Sequence, residues 1–174
     1  MNDVLTQEIP GLIKNLGADN PFTRQHARLI LVHLGSVSIP ALLEALESAN
    51  TYKRWEAARA LGDMQGPQIP SALSNLLTDQ DFSVRWVAME GLIQHGREAL
   101  PSLLEVFTKN FDSVWMREGV HHILHVLKDR HELKELEIKL FDILHQQAIP
   151  GFESGWTGEA AWAAEKALEA LDRE

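Results

Sequence analysis

Apolar positions along the chain recur at helical spacing and do not alternate for long. In the stretch 52–65, Ala57, Leu61 and Met64 stand at i, i+4 and i+7, one face of a 3.6-residue helix. Gly66 is expected to close this helix, as the residue that tolerates a left-handed C-terminal conformation. Ile69, Leu73, Leu76 and Leu77 form the apolar side of the segment that follows. Pro70 sits in its first turn, where a missing N–H costs nothing. No segment of four or more residues alternates convincingly with period two. The pattern therefore predicts helices and no strands.

The helix pair repeats. Ile9-Pro10-Gly11-Leu12-Ile13 returns as Ile39-Pro40-Ala41-Leu42-Leu43, Ile69-Pro70-Ser71-Ala72-Leu73 and Leu100-Pro101-Ser102-Leu103-Leu104, with the prolines 30, 30 and 31 residues apart. Arg24, Arg54 and Arg85 keep the same step. Each is followed by a small residue (Ala27, Ala57, Ala88), a leucine (Leu31, Leu61, Leu92) and a glycine (Gly35, Gly66, Gly96). Each unit reads as helix A, turn, helix B. A fourth unit has drifted: at a 31-residue step Gly119 falls under Ala88, Ile123 under Leu92 and Met116 under Arg85. Its helix B is expected over about 132–147. A Gly-rich connection, 151–158, leads to an Ala-rich helix over about 159–171. The predicted layout is a capping helix in 1–19, three regular repeats in 20–111, the drifted repeat in 112–147, and a loop with a capping helix in 148–174. Drift at one end is expected, because a terminal repeat must face water on one side.

The runs Arg54-Trp55-Glu56-Ala57-Ala58-Arg59-Ala60-Leu61-Gly62 and Val84-Arg85-Trp86-Val87-Ala88-Met89-Glu90-Gly91-Leu92 carry a resemblance to a known family. They are similar to the Val-Arg-x-x-Ala-Ala-x-Ala-Leu-Gly run of HEAT repeats, in the short form found in the phycobilisome-lyase-like family. The resemblance covers about residues 7–127. Thr23 and Lys53 replace the valine before arginine, and Met116 replaces the arginine of the fourth unit. The resemblance implies an all-α, right-handed α-solenoid whose B helices line a concave side and whose Arg24, Arg54 and Arg85 bridge to the next unit. It implies a binding scaffold, or else a phycobilin lyase or phycobilisome-turnover factor. Tetratricopeptide and ankyrin signatures are absent.

Candidate binding residues follow from this layout. Opposite the apolar stripes of the B helices stand Lys14, Glu44, Ser48, Ser74, Thr78, Glu105 and Lys109, among Gly11, Ala18, Ala41, Ser71 and Ser102. This face is small and polar, and its two lysines and two glutamates cancel. A groove for nucleic acid needs basic residues and stacking aromatics, so the expected partner is a protein or peptide. Trp55 and Trp86 hold the same position in consecutive units, as packing between repeats or as a partner hot spot. Trp115 is expected in the core. Asn20, Asn50 and Asp81 precede their arginines by four residues and suit helix N-caps. His121 and His125 stand at i, i+4, with His122 between them, but no third metal ligand is fixed by sequence. His131 and His145 reach them only if the next helix returns close by. We expect a solvated face and no metal there. Phe152 and Trp156 are read as docking on the open end of the array or as a mobile arm.

Composition changes little. The 174 residues are 45% apolar and 24% charged, ordinary for a globular protein. With no cysteine, disulfides, thiol nucleophiles and cysteine zinc sites are excluded. A formal charge of −9 argues against nucleic acid or an anionic membrane as partner. No stretch approaches ~18 apolar residues and Met1-Asn2-Asp3-Val4 has no basic start, so a cytoplasmic protein is expected. No nucleophile elbow, phosphate loop or dinucleotide fingerprint is present, so neither catalysis nor a cofactor is expected.

Overall fold

The computed structural model describes residues 2–147 and 158–173. Phe152 and Trp156 lie outside them. Among the described residues every regular element is helical, and the fold class is an all-α solenoid. The chain divides into two compact units, Met1–Gln94 and His95–Glu174.

The first unit holds α1 (Asn2–Asn15), α2 (Pro21–Leu34), α3 (Ile39–Ala45), α4 (Thr51–Gly62), α5 (Ile69–Asn75) and nearly all of α6 (Phe82–His95). The A helices are α2, α4 and α6. The B helices are α3 and α5, and α1 precedes α2 and packs on it. Helix α2 packs on α1 and α4, and α4 also packs on α3 and α5. Leu31, Leu42, Leu61, Ile69, Leu73 and Leu92 are fully buried between them, the residues that the periodicity places inside. Side chains start each A helix. Asn20 Oδ1 accepts from Phe22 N at 2.9 Å, Asn50 Oδ1 from Lys53 N at 3.1 Å and Asp81 Oδ1 from Ser83 N at 2.8 Å.

The ends of the A helices divide into two kinds. Gly35 (φ +66) and Gly96 (φ +60) adopt backbone that only glycine enters freely. Gly66 does not. Helix α4 stops at Gly62, short of the expected 65, and Gly66 has no positive φ. The glycine that matters here is Gly62, which faces Gly91 across the two A helices. A Cβ on Gly62 would lie 2.9 Å from Gly91 Cα.

Pro21–Ala45 is long and apolar enough, by length and composition, to cross a membrane, with mean hydropathy 1.4. This differs from the sequence expectation. The run is broken between α2 and α3 at Gly35, and Ala27, Leu31, Leu42 and Ala45 are buried inside the unit.

The second unit holds α7 (Leu100–Asn110), α8 (Val114–Asp129), α9 (Glu135–Gln147) and α10 (Glu159–Leu171). Helix α8 packs on α7 and α9, and α10 packs on both α7 and α9. Phe107, Leu103, Leu104 and Met116 form its centre. Ala160, Ala163, Ala164 and Ala167 are buried, and their small side chains let α10 sit close. Buried Glu137 in the first turn of α9 reaches back to the residue before the helix: its Oε2 accepts from Lys134 N at 2.7 Å, half of a capping box. The other oxygen pairs with Arg97 Nη2 at 3.1 Å.

Candidate functional site

One arginine per repeat fastens the start of helix A to the chain before it. Arg24 Nη1 donates to Ala18 O at 2.8 Å, Arg54 Nη1 to Ser48 O at 2.8 Å, Arg85 Nη1 to Asp79 O at 2.7 Å and Arg117 Nη1 to Phe111 O at 2.8 Å. The reach is six residues back in each case. The fourth member corrects the sequence alignment. Arg117, four residues after the N-cap Ser113, does the work assigned to position 116, and Met116 is buried.

Two of these arginines also bridge forward. Arg54 Nε and Nη2 donate to Asp79 Oδ2 at 2.8 Å and Oδ1 at 3.0 Å, a bidentate pair with both side chains largely buried. Those hydrogen bonds hold the guanidinium above its ordinary pKa, against the opposing effect of burial. Glu56, buried, receives Arg28 Nε at 2.9 Å and lies 3.5 Å from Arg24 Nε. Arg54 is thus engaged within the fold on both sides.

The N-terminal ends of the A helices in the first unit carry aromatics. Phe22, Tyr52 and Phe82 are exposed at or next to the first residue of α2, α4 and α6. The Arg24 guanidinium stacks over Tyr52 at 4.1 Å, and Arg85 lies 5.7 Å from the Phe82 ring centre. Trp86, 45% exposed, tilts against Phe82 with ring centres 6.1 Å apart. Trp55 is half-buried and lines a cleft of about 670 Å³ with Arg24, Asn50, Thr51, Tyr52, Glu56, Asp81 and Ser83. Ser83 hydrogen bonds hold the Asp81 carboxyl below its ordinary range. In the second unit Trp115 is 58% exposed and not in the core. The one-residue shift that turns Met116 and Arg117 inward turns it out.

The predicted B-helix face is only partly assembled. Lys14, Glu44, Thr78, Glu105 and Lys109 are exposed and Ser48 is half-buried. Ser74 is 0% exposed, which corrects its assignment to the surface. Pro70 is buried as well, so the inward face of α5 is rotated to include the residue one turn after the proline. Ser48 and Thr78 meet in an open cleft of about 610 Å³ lined also by Leu43, Leu46, Ala72, Leu76 and Asp79. Glu47, Asn75 and Gln80 line it too and escaped the helix-wheel reading. They lie in or beyond the last turns of α3 and α5, where a wheel loses its register. In the second unit Lys109 Nζ lies 2.7 Å from Glu105 Oε1 and holds that carboxyl below its ordinary range.

The next helix does return beside the histidines. His121 Nε2 lies 3.1 Å from His145 Nδ1, and Phe141 stacks on His121 with ring centres 5.2 Å apart. His125 is exposed and lies 3.4 Å from Asp129. Burial first, then the neighbouring His145, His125 and His122, push the His121 imidazole below its ordinary pKa. The face expected to be simply solvated is therefore a contact between α8 and α9. Among the described residues no group of three or more metal-binding side chains is placed to hold an ion.

The family described as HEAT repeats matches residues 39–118. Over that stretch the chain is similar to HEAT repeats. It is 37% identical over 89 residues to the bilin biosynthesis protein RpcF of Synechococcus sp. (strain WH8020), a match that covers 51% of this chain and 43% of that relative. The chain thus spans less than half of the relative's length. The matched HEAT segment includes Arg54, Trp55, Arg85, Trp86 and both clefts' central residues. Arg117 is also inside it, whereas the His121–His145 contact lies beyond its last residue.

Proposed function

We propose that this protein is a non-catalytic scaffold that binds a partner protein or peptide, using the B-helix face and the tryptophan-bearing edge of its A helices. In this reading it works in the cytoplasm. One observation carries it. Tyr52, Phe82 and Trp86 stay exposed and Trp55 half-exposed along one edge of the first unit, although buried leucines and alanines already fill its core. Exposed aromatics in a cluster are the side chains that dominate protein interfaces. The test is capture of a partner from the native host's lysate with wild type and with Trp55→Ala/Trp86→Ala, circular dichroism confirming that both are folded. The double variant is expected to lose the partner. Retention of the same partner by the variant refutes the role of this edge.

A second reading rests on the relative named for bilin biosynthesis. The cleft of about 670 Å³ beside Tyr52, Trp55 and Arg24 falls in the size range of small-molecule sites. Its aromatic rings suit a flat conjugated ligand. Titration with a bilin, followed by pigment absorbance and tryptophan quenching, separates the two readings. Saturable binding lost in Trp55→Ala favours the bilin, and an unchanged spectrum leaves the protein-binding scaffold.

A further inference from the structure

We propose that His121 and His145 form a proton-sensitive latch that holds α9 against α8 while the pair carries at most one extra proton and releases it when both rings are charged. The geometry supplies the argument. A neutral imidazole has one N–H and one lone pair, so two rings with nitrogens 3.1 Å apart share a single hydrogen bond. One added proton leaves that bond in place, now charge-assisted. A second puts an N–H on each facing nitrogen, and two cations then meet at 3.1 Å with no acceptor between them.

The surroundings do not relieve that repulsion. On α8, His122 and His125 flank His121, and they act on it with the same sign as His145. Glu118 lies one turn earlier and is exposed. Lys128 reaches across to Asp142 of α9 at 3.4 Å and sits over Phe141, so that carboxylate is already engaged. The Asp129 carboxylate sits by His125. On α7, packed against α8, Glu105 and Lys109 pair with each other. On α10, packed against α9, Lys166 pairs with Glu169, and Glu159 and Glu165 are exposed. Burial first, then the like-signed neighbouring imidazoles, oppose protonation of the His121 ring in the fold.

The sign follows. His121 is held below its ordinary value in the fold, so the unfolded chain binds more protons as the pH drops. The contact's contribution is complete above about pH 6.5 and is lost as pH falls through the lower folded value. Release frees α9, and with it the support that α9 gives α10.

The experiment is amide hydrogen exchange of residues 135–147 in the full chain at pH 7.5 and pH 5.0, corrected for intrinsic rates, in wild type and His145→Gln. Glutamine keeps a hydrogen-bonding side chain at an exposed position and removes the second charge. Protection of wild type is expected to fall further than that of the variant. In the same pair of proteins the His121 ring signal should titrate below pH 6.5 in wild type and move upward in the variant. An equal loss of protection in both proteins, or a wild-type His121 that titrates at or above 6.5, overturns the latch. A change in exchange at pH 7.5 on adding EDTA overturns it in favour of a bridging metal ion.

Discussion

The contact of Gly62 with Gly91 gives the sharpest stability test. A Cβ built on Gly62 falls 2.9 Å from Gly91 Cα, whereas carbon atoms rest about 3.5–4.0 Å apart. The atom it meets is backbone, so α4 and α6 must separate by a sizeable fraction of an ångström to admit Gly62→Ala. Overpacking of this kind costs about 1–3 kcal/mol. Alanine regains up to about 1 kcal/mol of helix propensity. With that gain set against it, the net loss is up to about 2 kcal/mol, or as much as roughly 4–8 °C in melting temperature for a chain of this size. Gly91→Ala is the control. Its new Cβ first meets Leu73 Cδ1 at 2.8 Å, the far end of a flexible side chain, with Gly62 Cα at 3.3 Å. That leucine can turn aside, so the loss should be smaller. Urea unfolding followed by circular dichroism measures both. Because the two sites touch, the double variant should depart from the sum of the single ones. A Gly62→Ala protein more stable than wild type refutes the close-packing argument and leaves helix propensity as the only effect.

Other expectations concern the fastenings around this contact. Asp79→Ala strands the Arg54 guanidinium, 7% exposed, without its bidentate partner and should cost about 3–5 kcal/mol in urea unfolding. Asp79→Asn should lose clearly less, because its oxygen can still accept. Gly35→Ala places a side chain at φ +66, ψ −143 with no neighbour within 4 Å, so its loss of about 1–3 kcal/mol is purely backbone strain and should appear in the melting temperature. Asp81 is held below the ordinary carboxylate range by Ser83. It stabilises the fold above that range and ceases to do so as pH falls through its folded value. Asp81→Asn should therefore flatten the decline in unfolding midpoint between pH 6 and pH 3, as read by circular dichroism.

The repeat was plain in the sequence because its markers answer to local physics. Asn20, Asn50 and Asp81 must cap a helix, Pro40 and Pro70 must sit in a first turn, and the leucines must recur on one face. Failures arose where a residue's job is set by something distant. Gly66 and Gly62 are indistinguishable as helix terminators until the partner helix brings Gly91 to Gly62. Arg117 was missed because counting from Arg85 at a fixed step lands on Met116, while the cap Ser113 gives the correct origin. Ser74 looked polar and outward, yet buried Pro70 had already turned α5. Trp55 and Trp86 were legible as a repeated pair, but only the fold separates the cleft-lining ring from the more exposed one. His145 was a conditional partner for His121, and the condition, the return path of α9, lies in tertiary structure.

The six-residue reach of Arg24, Arg54, Arg85 and Arg117 bears on how such an array tolerates insertion. The caps that precede these arginines, Asn20, Asn50, Asp81 and Ser113, are separated by 30, 31 and 32 residues. A strict lattice would be thrown out of phase by each added residue. Here every copy carries its own fastening between carbonyl and guanidinium, so extra length is absorbed upstream and the next helix starts from a freshly set hinge. The unit of inheritance in this chain is accordingly the stretch from cap to arginine with the turn it grips, and copies of unequal length can be joined without shared phase.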